Sequence, residues 1–150
     1  MNVLIFGCGR TGAALALQLS RSHSVTVIEQ NLDAVRRLGA KHDCRVVIGS
    51  GIDEDTLIRA GISEADAFFA VTRGDNTNLM AAQVAQINYN VKHICVRVAD
   101  PNRAEAYRKL GMTCITPALI IAGMMRDWLT ETPYEQIDSY NALPAEMEVI

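Results

Sequence analysis

Residues 3–12 constrain this chain more than any other stretch. Val3-Leu4-Ile5-Phe6 is an unbroken apolar run, as expected of a strand buried on both faces of a parallel sheet. It leads directly into Gly7-Cys8-Gly9-Arg10-Thr11-Gly12, and apolar residues then recur at helical spacing from Thr11 to Ser22 (Ala14, Leu15, Leu17, Leu19). G-x-G-x-x-G means little in isolation, but between a buried strand and a helix it has a mechanism. Gly7 permits a tight turn. Gly9 lets the backbone approach a pyrophosphate with no Cβ in the way, and Gly12 lets the helix pack closely on the strand. The helix start then offers unpaired N–H groups and a positive dipole end to an anion.

The same alternation continues along the chain. Ser24–Ile28 reads as a strand, and Asn31 caps a helix running to about Ala40. Arg45–Ile48 is a strand, Gly49-Ser50-Gly51 a turn, and Asp53–Ala60 a short helix ended by Gly61. Ala67–Thr72 is a fourth strand. Asn76–Asn90 is a helix with Leu79, Ala82, Val84 and Ile87 as candidate buried positions. His93–Val98 is a fifth strand, Pro101–Leu110 a helix, Thr113–Thr116 a sixth strand, and Pro117 to about Thr130 a last helix. Strands alternating with helices imply an α/β, Rossmann-like, doubly wound parallel sheet of six strands. The expected order is 3-2-1-4-5-6, with the ligand crevice at the carboxyl ends of the strands.

Composition narrows the function classes. A chain of 150 residues with 49% hydrophobic and 21% charged residues has the profile of one globular domain. Its net charge is −3, without the basic excess of a nucleic-acid-binding domain. Arg36-Arg37 and Arg108-Lys109 read as solvated helix faces. Cys8, Cys44, Cys95 and Cys114 form no C-x-x-C pair, and His23, His42 and His93 fall at no metal-ligand spacing. The cysteines read as reduced thiols of a cytosolic protein, Cys95 packing as a small hydrophobe. Residues 1–28 lack the order of a signal peptide. The longest apolar run, Ala118–Met125, has 8 residues, where a membrane span needs about 18.

Several further residues join the candidate cofactor site. Glu29 ends the second strand 17 residues after Gly12, where an acid accepts hydrogen bonds from ribose hydroxyls. Its charge disfavours a 2′-phosphate, so NAD(H), ATP, ADP or AMP is expected over NADP. Arg10 lies within the loop, where its guanidinium suits bidentate pairing with phosphate. Gln30 and the Ser50-Gly51 turn are included by position. Thr72 and Arg73 end the fourth strand on the same edge, where cofactor contact and simple strand termination are both open. Asp75 and Asn76 are read as helix caps. Arg97, near the end of the fifth strand, needs a partner; a crevice phosphate and an internal carboxylate such as Asp100 stand as equal alternatives.

No catalytic constellation accompanies these residues: there is no nucleophile elbow and no Tyr-x-x-x-Lys. Ala118 to Met125 is apolar on every side, whereas a surface helix carries one apolar stripe. Another subunit is the expected cover, with Gly123 allowing close approach. Glu131–Ile150 has two prolines and little periodicity, as of an extension packing on a neighbour or a linker.

Taken together, these residues resemble the nucleotide-binding lobe of potassium-transport regulators, the RCK, KTN or TrkA-N family. The resemblance covers roughly residues 1–130. It rests on the glycine loop, Val27-Ile28-Glu29, Gly49-Ser50-Gly51, Leu57 through Gly61, Ala65-Asp66-Ala67, Ala70-Val71-Thr72 with Asp75 and Asn78, Arg97-Val98, and Leu110-Gly111 through Pro117. It implies a non-catalytic lobe binding NAD(H) or ATP/ADP, with Gly7 to Thr11 on phosphate and Glu29 on ribose. Arg10 would reach a terminal phosphate, and Thr72, Arg73 and Arg97 would line the crevice. It also implies a homodimer through a crossing helix at 117–130, ring assembly, and control of a membrane potassium transporter or channel from its cytoplasmic face. Residues 131–150 would then be a C-terminal extension or the start of a second lobe. Ala118 departs from the pattern, since many members carry an acid there that helps hold a cation or contacts a neighbour. A separate reading is an NAD-linked oxidoreductase fragment lacking its substrate domain; a third is a structural dimerisation lobe with a silent crevice.

Overall fold

The computed structural model describes residues 1–148 and divides into two compact units, residues 1–96 and residues from 97 onward. Six strands form one sheet in the order β3-β2-β1-β4-β5-β6. They are β1 (Asn2–Phe6), β2 (Ser24–Glu29), β3 (Arg45–Ile48), β4 (Ala67–Ala70), β5 (His93–Arg97) and β6 (Thr113–Ile115). The intervening helices are α1 (Arg10–Leu19), α2 (Leu32–Val35), α3 (Glu54–Ala60), α4 (Asp75–Tyr89), α5 (Pro101–Lys109) and α6 (Pro117–Leu129), followed by α7 (Ile137–Asn141).

In the first unit, β1 is parallel to β2 on one side and β4 on the other, with Phe6 opposite Ile28 and Ala70. That explains its unbroken apolar run: Val3, Leu4, Ile5 and Phe6 are all buried, because a central parallel strand is covered on both faces. Val3 and Ile5 join Val25, Val27, Ala13, Ala16, Ala34 and Leu38 in one core cluster. The expected helix to Ala40 is instead one α-turn tightening to 3-10 over Arg36–Leu38, which brings both Ala34 and Leu38 into this core. Gly39 then turns the chain at φ +78°.

Caps stand where side chains supply them. Asn31 accepts from the Asp33 N–H, and Asp53 accepts the Thr56 N–H at 3.0 Å and its hydroxyl at 2.6 Å. Helix α4 begins one residue earlier than expected, at Asp75 with Gly74 as N-cap, so Asp75 and Asn76 lie inside the first turn. Its buried face is Asn78, Leu79, Ala81, Ala82 and Ala85. The expectation that Ile87 is buried fails: it is 71% exposed. At 100° per residue it points roughly opposite that stripe.

In the second unit, Asp100 caps α5 by accepting from Asn102 and Arg103 N–H groups. The tail has more order than its composition suggests. The Tyr140 hydroxyl donates to the buried Asp127 carboxylate of α6 at 2.7 Å, and Arg126 pairs with the other oxygen. The position of a Cβ on Gly123 is filled by the Tyr140 ring, so the close approach this glycine permits is to α7 of its own chain. Val98 N–H bonds the Ile115 carbonyl on one side of β6. On the other side the Asn141 amide accepts from Thr116 N–H and donates to the Cys114 carbonyl. Asn141 thereby satisfies backbone groups that an edge strand leaves open.

Candidate functional site

The carboxyl ends of β1, β2, β3 and β4 meet at the glycine loop, on either side of the point where strand order reverses. Backbone bonds tie them together. Gly7 N–H reaches the Ile28 carbonyl at 2.9 Å, Val71 N–H the Phe6 carbonyl at 2.9 Å, and Gly49 N–H the Glu29 carbonyl at 3.1 Å.

The three loop glycines have distinct surroundings. Gly7 sits at φ +106° with Thr72 N only 3.0 Å from where a Cβ would lie, so both conformation and space require glycine. A Cβ on Gly12 would overlap the Gly7 carbonyl oxygen, which is the close helix–strand approach expected of the third glycine. Gly9 is different: it is exposed, and nothing lies within 4 Å of a Cβ built on it. It is the N-cap of α1, at φ −70°, and receives no side-chain cap. Helix geometry leaves the first N–H groups of α1 without intrahelical partners, and no acid stands in that first turn. Arg10 and Thr11 are exposed at the same helix start, while Cys8 is fully buried beneath it.

Glu29 belongs to this loop physically as well as by spacing. One carboxylate oxygen accepts the Cys8 N–H at 2.7 Å. The other accepts the N–H groups of Gln30 at 2.8 Å and Asn31 at 2.9 Å. Burial, and then the Glu29 charge beside it, push the Cys8 thiol above its ordinary range, with Arg37 pulling partly the other way. Gln30 is exposed next to Glu29. Gly51 lies over β1 so closely that a Cβ would enter the Phe6 ring, and Ser50 is half-buried beside it.

Thr72 is half-buried and Arg73 exposed, just beyond β4. Thr72 is held by Asn78, a buried amide in the first turn of α4. The Asn78 Oδ1 accepts the Thr72 N–H at 2.9 Å and its hydroxyl at 2.6 Å, and Nδ2 donates to the Thr72 carbonyl at 3.0 Å. Sequence reasoning did not place Asn78 among the site residues. Its signal was a polar residue at a buried helix position, six residues after the threonine that ends a strand. Arg97, the last residue of β5, opens the second unit and is half-buried. Among the described residues no group of three or more His, Cys, Asp or Glu side chains is arranged to hold a metal ion. No helix among them is long and apolar enough to cross a membrane.

Known proteins resemble this chain in sequence and in fold. The chain is 44% identical over 126 residues to the Trk system potassium uptake protein TrkA of Streptomyces coelicolor, covering 83% of this chain and 56% of that protein. It thus spans little more than half of that relative's length. Among solved structures, GsuK bound to ADP superposes with a TM-score of 0.73 at 23% identity, over 87% of this chain and 34% of that one. The GsuK channel bound to NAD superposes with a TM-score of 0.63 at 25% identity, over 81% of this chain and 22% of that one. Residues 3–117 match the family model of the TrkA-N domain, a span that holds the glycine loop, Glu29, Thr72 and Asn78. The chain belongs to the TrkA-N domain family.

Proposed function

We propose that this chain is a non-catalytic, regulatory nucleotide-binding lobe of a potassium uptake system. Its ligand is NAD(H) or an adenine nucleotide (ATP, ADP or AMP), held at the start of α1. The observation that carries this reading is the pairing of an open Gly9 at an uncapped helix N-terminus with Glu29 bonded to the same loop. The first supplies an anion site of the kind that receives phosphates, and the second a strand-end carboxylate of the kind that accepts ribose hydroxyls. Phosphates lie against Gly7 to Thr11 with Arg10 swinging over them. Glu29 takes the ribose hydroxyls. Gln30, Ser50, Gly51, Thr72 and Arg73 form the surrounding edge. The TrkA relative's name and the ADP- and NAD-bound GsuK structures support this ligand class and this role.

The lobe works at the cytoplasmic face of the membrane, as a homodimer or larger ring joined through α6. Nucleotide occupancy favours one subunit arrangement over another, and the bias passes to a membrane transporter or channel subunit. Such a switch needs different affinities in the two arrangements, because equal binding shifts nothing.

The test is mass spectrometry of small molecules released on denaturing the freshly purified protein, followed by calorimetric titration of NAD, NADH, ATP, ADP and AMP. Co-purification or micromolar binding without turnover is the expected result. Absence of binding at millimolar concentration overturns the nucleotide reading, and consumption of NADH with carbonyl substrates overturns the non-catalytic one.

A further inference from the structure

We propose that Asn78 is a positioning residue for the nucleotide loop, holding Thr72 as the wall against which Gly7 and the start of α1 are set. The proposal rests on the nucleotide reading for its consequence in binding, but not for its geometry.

Asn78 is fully buried in the first turn of α4. Its amide engages the N–H, the hydroxyl and the carbonyl of Thr72. The Thr72 hydroxyl oxygen also accepts the Gly74 N–H at 3.2 Å, which ties the turn before α4 into the same group. Three bonds from a rigid amide fix both the backbone plane of Thr72 and its χ1. That plane matters because of what it touches. Thr72 N and Cγ2 stand 3.0 and 3.1 Å from the Cβ position of Gly7, and Val71 Cγ2 stands 3.2 Å from that of Gly12. Gly7 and Gly12 are the two glycines that set the turn and seat α1. Asn78 therefore acts on the loop through Thr72. A small rotation at Thr72 is transmitted to the N–H groups proposed to receive phosphate, where about 1 Å of misplacement is costly.

The choice of amide is specific. A carboxylate at this position accepts the Thr72 N–H and hydroxyl but cannot donate to its carbonyl, and instead turns a second acceptor toward it. Asn78→Asp thus keeps the volume and breaks the clamp on one side, and Asn78→Ala removes it.

The experiment compares Asn78→Ala, Asn78→Asp and a core control, Ile62→Ala, with the wild-type chain. Ile62 is fully buried beyond α3 and outside the site. Backbone amide NMR of the ligand-free proteins is followed by calorimetry with ADP and with NAD. In both Asn78 variants the amide signals of Gly7, Gly9 and Thr11 move, and affinity falls at least about tenfold. In Ile62→Ala the melting temperature falls at least as far while those signals and the affinities stay near wild type. A folded Asn78 variant with wild-type loop signals overturns the proposal. So does one that binds both ligands as tightly as the wild type. If Asn78→Ala does not fold, Asn78→Asp decides on the same criteria. If the wild type binds neither ligand, the nucleotide reading fails, and the loop signals alone still decide the positioning role.

Discussion

The Glu29 carboxylate accepts the Cys8 N–H at 2.7 Å, so the acid that ends β2 and the glycine loop that follows β1 form one hydrogen-bonded unit. The same carboxylate also fixes the turn after β2 through Gln30 and Asn31. It is held in one orientation by three backbone donors, which preorganises it for the ribose contact proposed above.

Removing that acceptor tests the ribose assignment. Glu29→Ala is expected to weaken NAD and ADP binding more than about tenfold, or at least about 1.4 kcal/mol. It is also expected to narrow the proposed preference for NAD over NADP, since it removes the charge expected to repel a 2′-phosphate. Calorimetry with the three ligands measures both effects. Unchanged NAD affinity in a folded variant rejects Glu29 as the ribose ligand.

Two glycine substitutions separate folding from binding. Gly12→Ala drives a methyl group into the Gly7 carbonyl, and overpacking of this kind costs about 1–3 kcal/mol or more. For a chain of this size each kcal/mol lowers the melting temperature by roughly 2–4 °C. Gly9→Ala meets nothing within 4 Å and keeps an allowed φ of −70°, so the melting temperature should hold. The new methyl group stands where the pyrophosphate is proposed to approach, and affinity should fall about tenfold or more. Thermal melts and titrations of both proteins decide the matter. A Gly9→Ala protein that binds normally moves the phosphates off that face.

Much of this was legible in the residues, for physical reasons that differ from place to place. The strand order followed from buried apolar runs alternating with helical spacing, because a parallel sheet covered on both faces leaves little topological freedom. The Asn31 cap was equally readable, since a cap acts within a few residues of itself; Asp53 and Asp100 were not read as caps, and Asp75 and Asn76, which were, lie inside the first turn of α4. The failures concern contacts between distant segments. Ile87 looks as apolar as Leu79, and only the direction in which α4 faces β4 leaves it outside. Composition gave no sign that Tyr140 and Asn141 dock on α6 and β6, because a buried phenol and a buried amide are favourable only with the partners they find there. The contacts of Asn78 were hidden for the same reason: its amide makes three bonds to Thr72, and spacing alone does not show them.

The buried Asp127–Tyr140 pair makes attachment of the tail sensitive to pH at both extremes. The Tyr140 hydrogen bond, with help from Arg126, holds the Asp127 carboxyl below its ordinary value against the opposing effect of burial. A depressed carboxylate contributes stability above its unfolded pKa of about 3.9, and that contribution is lost as pH falls through the still lower folded value. Burial and then the bond to Asp127 raise the Tyr140 hydroxyl. Its contribution is complete below the unfolded pKa of about 10 and is lost as pH rises through the folded value. Hydrogen exchange of α7 amides should therefore accelerate below about pH 4 and above about pH 10, faster than the core of the first unit. In Tyr140→Phe both dependences should shrink. A Tyr140→Phe profile identical to the wild type removes the pair from the account.

Helix α6 leaves an apolar stripe open in the single chain. Ile121, Met125, Trp128 and Leu129 are 52%, 67%, 73% and 75% exposed, and the buried residue of the helix is Asp127. Spacing of four and three residues puts Ile121, Met125 and Trp128 on one face. Burying each such side chain fully contributes about 1.5–3 kcal/mol, enough in combination to hold two copies together across a two-fold axis. Light scattering at tens of micromolar should therefore report a dimer. Combining Met125→Glu with Trp128→Ser should give a monomer whose melting temperature, taken at low concentration, is little changed, because these side chains are largely open in their own chain. Nucleotide affinity of that monomer should differ from the dimer if occupancy and arrangement are coupled. A wild-type chain that scatters as a monomer at this concentration rejects α6 as the joining element.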